Sequence, residues 1–175
     1  MAMTKVFERL YLGDARDADS LAVTNPFGIT AVVNVSTEMI NQWEDGIIYV
    51  HFYLDESERI TPRRFERIMK AISRLIRSGS VLIHCSGGTS RSPTIVALYM
   101  HVVGYKNFDD ALSELTSLRP VVAPSKLVIE SAKSYLGGYE TSRTLCTSEH
   151  ARPAHRKPVP RPSKAGGTAR LRGRS

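Results

Sequence analysis

The sequence predicts an α/β fold, a mostly parallel central sheet of about four to five strands flanked by helices. Three observations lead there: short apolar runs rich in β-branched residues, amphipathic helical runs between them, and an all-helical pattern after Pro93. Val6 to Leu12 (VFERLYL) reads as a first strand, and Ile29 to Val35 (ITAVVNV) as a second. The continuous β-branched character of the second marks a strand buried on both faces. Ile47 to Leu54 (IIYVHFYL) is a third, and Ser80 to His84 (SVLIH) a fourth. Between these last two lies the clearest helix, with Thr61 as N-cap and Pro62 at the first helical position. Phe65, Ile68, Met69, Ile72, Leu75 and Ile76 fall on one stripe, Arg63, Arg67, Lys70, Arg74 and Arg77 lie elsewhere, and Gly79 closes the helix. Downstream come Pro93 to Val103, apolar all round and so expected to be buried, then Phe108 to Leu118, then a helix over roughly 125–136.

With 175 residues, 42% of them hydrophobic, the chain has the material for one core. No apolar run approaches the roughly 18 to 20 residues of a membrane span. Charges Glu8, Arg9 and Asp14 near the start, without an apolar stretch, leave a secretory signal unsupported, and a cytoplasmic location is expected. The two cysteines, Cys85 and Cys146, point to thiol chemistry rather than a disulfide scaffold. The net charge of +7 is unevenly placed. Residues 1–140 hold 15 Lys and Arg against 16 Asp and Glu, whereas residues 141–175 hold 9 against 1. The second segment is also rich in Pro and Gly and poor in large apolar residues, so it is expected to be a disordered basic tail following a folded domain of residues 1–140. Such a tail suits an acidic partner, nucleic acid or an anionic membrane, although no aromatic interleaves its charges.

The segment HCSGGTSRSPT, residues 84–94, follows an apolar strand and precedes a helix whose first turn holds Ser92 and Pro93. Between Cys85 and Arg91 stand only Ser86, Gly87, Gly88, Thr89 and Ser90, small enough to leave the backbone open to a ligand. A tight loop of this kind at a helix N-terminus offers successive N–H groups to an oxyanion such as phosphate. The amides, the helix dipole and Arg91 all favour negative charge at Cys85, so its sulfur is expected to be a thiolate. A thiolate beneath a phosphoryl group attacks phosphorus, and a guanidinium holds two equatorial oxygens at once. Phosphoryl transfer through a cysteinyl-phosphate is the predicted chemistry, with no metal or other cofactor.

His84, Cys85, Arg91 and Ser92 together resemble the H-C-x5-R-[ST] signature of the cysteine-based protein tyrosine phosphatases, and SRSPT resembles its dual-specificity branch. ERLYLGDARDA, GITAVVNVSTE and the SLRP segment over 117–120 extend the resemblance to roughly residues 5–139. It implies that Asp55, at the end of the third strand and thirty positions before Cys85, is the general acid, with Glu56 and Glu58 beside it. It further implies that Ser92 assists departure of the sulfur and that His84 orients the loop. The absence of a Lys-Asn-Arg-Tyr segment implies a shallow site accepting phosphoserine, phosphothreonine and phosphotyrosine on protein substrates. Competing readings are a phosphatase for a phosphoinositide or RNA 5′ end, which the uncharged loop disfavours, a catalytically silent phosphate-binding module, and a sulfurtransferase. Cys146 is readable either as a regulatory thiol able to pair with Cys85 or as an idle tail residue. His51 and His101 read as core or edge residues, and Trp43 as a packing anchor.

Overall fold

A computed structural model of the chain describes residues 3–149, with side chains through residue 140. The strands are β1 (Thr4–Phe7), β2 (Leu10–Gly13), β3 (Ile29–Asn34), β4 (Ile48–His51) and β5 (Ser80–His84). The helices are α1 (Ala15–Asp19), α2 (Pro62–Ser78), α3 (Arg91–Val102), α4 (Phe108–Leu118) and α5 (Lys126–Glu149), with a 3₁₀ turn at Ser20–Ala22. The sheet order is β1-β2-β5-β3-β4, parallel except for the β1–β2 pair. The predicted mixed α/β sandwich is therefore the observed fold. β5 sits at the centre, so the loop leaving its carboxyl end lies where open α/β sheets place their ligands.

Alternation along the strands divides the apolar residues between two faces. Leu10, Leu12, Val33, Val81 and Ile83 pack under α2 to α5. Tyr11, Val32 and Leu82 face the other way, against Ala18 and Leu21 of α1 and the 3₁₀ turn. In α2 the expected stripe buries Phe65, Ile68, Met69 and Ile72, each contributing about 1.5–3 kcal/mol. Thr61 caps that helix by accepting a hydrogen bond from the Arg64 N–H, with Pro62 at its first position. α3 is buried from Arg91 through Met100, as its all-round apolar character requires.

Four details differ from the sequence reading. The single strand expected over 6–12 is a hairpin: Phe7 pairs with Leu10, and Glu8 takes φ 35° in the turn. The third strand shortens to Ile48–His51, an edge strand whose Ile48 is exposed. Gly79 ends α2 in an extended conformation, φ 171°, not a left-handed cap. Its need for glycine is steric, because a Cβ would lie 2.1 Å from Thr30 Oγ1 on β3. The last helix continues beyond 136 to Glu149, crossing the boundary expected near 140. The rest of the basic tail and the Cys146 side chain lie outside the described residues. Trp43 meets Tyr49 edge-on, with centroids 4.6 Å apart, yet stays exposed. His51 Nε2 lies 2.8 Å from the Ser36 carbonyl oxygen, an edge role. Among the described residues no helix is long and apolar enough to cross a membrane.

Candidate active site

The loop between β5 and α3 is fastened to its surroundings through its carbonyls. Ser86 O accepts from Ala15 N–H at 3.2 Å, Thr89 O from Ala123 N–H at 2.8 Å, and Ser90 O from Thr94 N–H and its hydroxyl. By contrast, among the described residues no protein group accepts a hydrogen bond from the backbone N–H of Ser86, Gly87, Gly88, Thr89 or Ser90. Apart from the exposed Gly87 these residues are buried or half-buried, where amides are nearly always paired, so five consecutive free donors form a cradle for an anion. Gly88 makes the cradle possible, with φ +65° and no room for a Cβ, which would sit 2.6 Å from Gly13 O.

Cys85 stands at the start of this loop, 2% exposed, with its Sγ 3.2 Å from the fully buried Ser92 Oγ. Arg91, at the other end, is 8% exposed. Its Nη1 donates to Leu54 O at 2.9 Å and its Nη2 to Ser86 Oγ at 3.1 Å, while Nε lies 3.9 Å from Glu56 Oε2. The bond to Leu54 is the link that brings the segment after β4 to the cysteine loop, since Asp55 is the next residue. The sequence-predicted set Cys85, Arg91, Ser92 and the loop residues is thus assembled in one place, with the Asp55 segment tethered to it.

Asp55 folds back on its own turn, accepting from Ser57 Oγ at 2.7 Å and Ser57 N–H at 2.8 Å. These bonds, the hydroxyl's foremost, and the nearby Arg91 charge hold its carboxyl below the usual aspartate range. In this arrangement Glu56, not Asp55, is the carboxylate within 4 Å of Arg91.

His84, which ends β5, is 1% exposed, and its Nδ1 lies 3.3 Å from the Cys85 carbonyl oxygen. Its Nε2 is buried with no hydrogen-bond partner among the described residues. Burial pushes its pKa down from 6.5 to about 4, keeping the ring neutral. Because the unfolded chain takes up this proton near pH 6.5 and the folded chain only near 4, stability should be full above the first value. It should decline by about 3 kcal/mol as pH falls toward 4. Urea midpoints measured across that window should show the decline, and His84→Gln should flatten it.

Three supporting features escaped the sequence reading. Arg119, 3% exposed within SLRP, lies beneath the loop: its Nη2 is 3.4 Å from Asp14 Oδ2, 3.9 Å from Asp17 Oδ2, and 3.0 Å from where a Gly88 Cβ would stand. Asp14 and Asp17 form a capping box at the start of α1, a pattern the D-x-x-D spacing does carry. Burial raises the Asp17 carboxyl against the opposing effects of its bond to the Asp14 backbone and the Arg119 charge. The second feature is Glu38, whose exposed carboxylate accepts from Ser86 Oγ at the loop mouth. The third is Ser57, the clamp on Asp55. The Glu38 contact spans 48 positions and no local pattern encodes it, whereas the Ser57 clamp is a D-x-S turn whose spacing the sequence does carry.

A strand, an anion cradle bracketed by a buried cysteine and a buried arginine, and a helix N-terminus together form a site built to hold a tetrahedral oxyanion against a sulfur atom. Comparisons with known proteins agree. Residues 10–134 match the dual specificity phosphatase catalytic domain. The chain is 30% identical over 139 residues to the protein phosphatase Slingshot of Drosophila melanogaster, covering 78% of this chain and 13% of that one. It is 28% identical over 124 residues to dual specificity protein phosphatase 22-A of Danio rerio, covering 70% and 60%. The chain therefore spans less than two thirds of these relatives. Among solved structures, a mouse protein described as a dual specificity phosphatase, in complex with zinc tungstate, superposes with a TM-score of 0.71 at 26% identity, covering 81% of this chain and 90% of that one. The described fold, the loop from Cys85 to Arg91 and the match over 10–134 lead to one assignment: the chain belongs to the dual-specificity phosphatase family.

Proposed function

We propose that this protein hydrolyses phosphotyrosine, phosphoserine and phosphothreonine on protein substrates through a cysteinyl-phosphate intermediate. The five free amides from Ser86 to Ser90, closed by Cys85 and Arg91, are the observation that carries the reading. In the first step the Cys85 thiolate forms a bond to phosphorus as the bond to the substrate oxygen breaks. Arg91 and the loop amides hold the equatorial oxygens, and Asp55 gives its proton to the departing oxygen. In the second step the Asp55 carboxylate takes a proton from water, the resulting hydroxide attacks phosphorus, and the S–P bond breaks. The Ser92 hydroxyl donates to the returning thiolate, and inorganic phosphate leaves. The tungstate named for the mouse relative is a tetrahedral oxyanion of the same shape class.

For Arg91 to grip the phosphoryl group, its bonds to Leu54 O and Ser86 Oγ must yield or be shared, so substrate binding should shift the Asp55 segment. This coupling offers a route by which Asp55 leaves Ser57 and reaches the leaving oxygen.

A second reading, a non-protein phosphate substrate, has one specific support: the fold is shared with PTPMT1 in complex with PI(5)P, at a TM-score of 0.67 and 15% identity. The uncharged loop favours the protein substrate. The test is hydrolysis, with chelator present, of an aryl phosphate, a panel of phosphopeptides and a soluble phosphoinositide. Chelator-insensitive turnover should occur, with phosphopeptides preferred. Arg91→Lys should cut kcat/KM by about 10² to 10³, because one ammonium cannot reproduce two parallel N–H bonds. Dominant turnover of the phosphoinositide would replace the first reading with the second.

A further inference from the structure

The basic stripe of α2 has no role in the chemistry at Cys85, yet it borders a groove. Between α2 and α5 runs a hollow of about 810 Å³ reaching from Pro62 to Arg77. At 1.5 Å per residue that is about 22 Å, the length of a peptide helix of four turns. Its floor is apolar: Met69 is 4% exposed and Tyr135 8%, with Tyr135 stacked on Tyr139 at 5.9 Å. One wall carries Arg63, Lys70, Arg74 and Arg77, all exposed. Among the described residues the only carboxylate lining the groove is Glu66, and it is paired with Lys70. Among the described residues Arg63, Arg74 and Arg77 make no salt bridge. On the opposite wall, a Cβ added at Gly138 would meet no described atom within 4 Å.

We propose that this groove docks an acidic amphipathic segment of a partner protein, lying as a helix with its apolar side on Tyr135, Tyr139 and Met69 and its carboxylates toward Arg63, Arg74 and Arg77. Charge decides the choice of occupant. The chain's own segment over 141–175, with 9 Lys and Arg against 1 acid, is repelled by the same wall that attracts Asp and Glu. A membrane is disfavoured by shape, because the apolar residues form the floor of a hollow and cannot lie flush with a flat surface. An apolar floor beside a one-sided row of cations is the arrangement that a helix-in-groove ligand of opposite charge fits.

The probe is a fluorescein-labelled peptide of about fifteen residues with Leu on one helical face and Glu on the other, titrated into the full chain and followed by anisotropy. Binding is expected, weakening as salt rises. The double variant Arg63→Glu/Arg74→Glu should raise Kd at least about tenfold, since two charge pairs become repulsive. Gly138→Phe should do the same by filling the groove; as it places a better helix former in α5, it should leave the fold intact, with thermal unfolding as the control. Aryl phosphate hydrolysis should be unchanged in both, which separates this surface from the site at Cys85. Absence of peptide binding, or a Kd unaffected by both variants, would overturn the proposal. So would equal binding of the same peptide with Lys in place of Glu. Two further results would reassign the groove: dimerisation of the full chain, or binding to phosphatidylserine vesicles in preference to the peptide, in either case lost in the double variant.

Discussion

Cys85→Ser is expected to abolish aryl phosphate hydrolysis, lowering kcat by at least about 10⁵-fold while the protein stays folded. The size follows from what surrounds the sulfur. Sulfur is an intrinsically better nucleophile toward phosphorus than a hydroxyl oxygen, and the free loop amides and Arg91 stand ready to hold the phosphoryl group against it. A serine hydroxyl in the same place would need a base. The preceding residue, His84, has its ring against the Cys85 carbonyl and is neutral by burial, and the group beside Sγ is Ser92, another hydroxyl. Kinetics on the purified variant, with thermal unfolding as the control for folding, decide the matter. Residual activity within about tenfold of wild type would remove Cys85 as nucleophile. A folded wild-type protein without turnover would instead indicate a phosphate-binding module.

The next largest effect is expected at Asp55. Asp55→Ala should lower kcat by about 10² to 10⁴, the range for general acid catalysis, and the loss should depend on the leaving group. A nitrophenolate departs readily without a proton, so its hydrolysis should suffer least; phosphoserine, which must release an alkoxide, should suffer most. Glu56→Gln should leave this pattern intact, and a reversal of the two variants would transfer the acid role to Glu56. The pH profile provides a second check. Ser57 holds the Asp55 carboxyl below its usual range, and an acid must be protonated to act. Ser57→Ala should therefore move the limb of kcat/KM that reports loss of the Asp55 proton to higher pH. An unmoved limb would show that the Ser57 clamp is already released in the reacting enzyme.

These expectations rest unequally on sequence and structure. The loop was legible because its information is local: Cys85, five small residues, Arg91 and Ser92 lie on one continuous segment between a strand and a helix. The same holds for α2, whose cap, proline and apolar stripe are all short-range signals, and for the buried character of α3. The hairpin at Glu8 is not legible because VFERLYL is apolar on both sides of its turn, and the polar pair Glu8–Arg9 reads equally well as part of one strand. Gly79 reads in sequence as a helix cap, but its requirement for glycine is tertiary: the approach of Thr30, 49 residues away in sequence, makes a side chain impossible there.

The amino-acid sequence by itself determined the family, the cysteine loop and the order of elements, because each is written in adjacent residues or in a repeating apolar period. The tertiary structure alone decided what supports and steers that loop. Arg119 reaches Asp14 across 105 positions, Arg91 reaches the Leu54 carbonyl across 37, and Glu38 meets Ser86 across 48. Such contacts depend on how the sheet stacks β2, β5 and β3 side by side, which brings the ends of three distant segments to one edge. The groove beside α2 has the same origin. A row of arginines reads in sequence as a solvated helix face, and it becomes one wall of a binding surface only when α5 packs alongside with Tyr135 and Tyr139 beneath it.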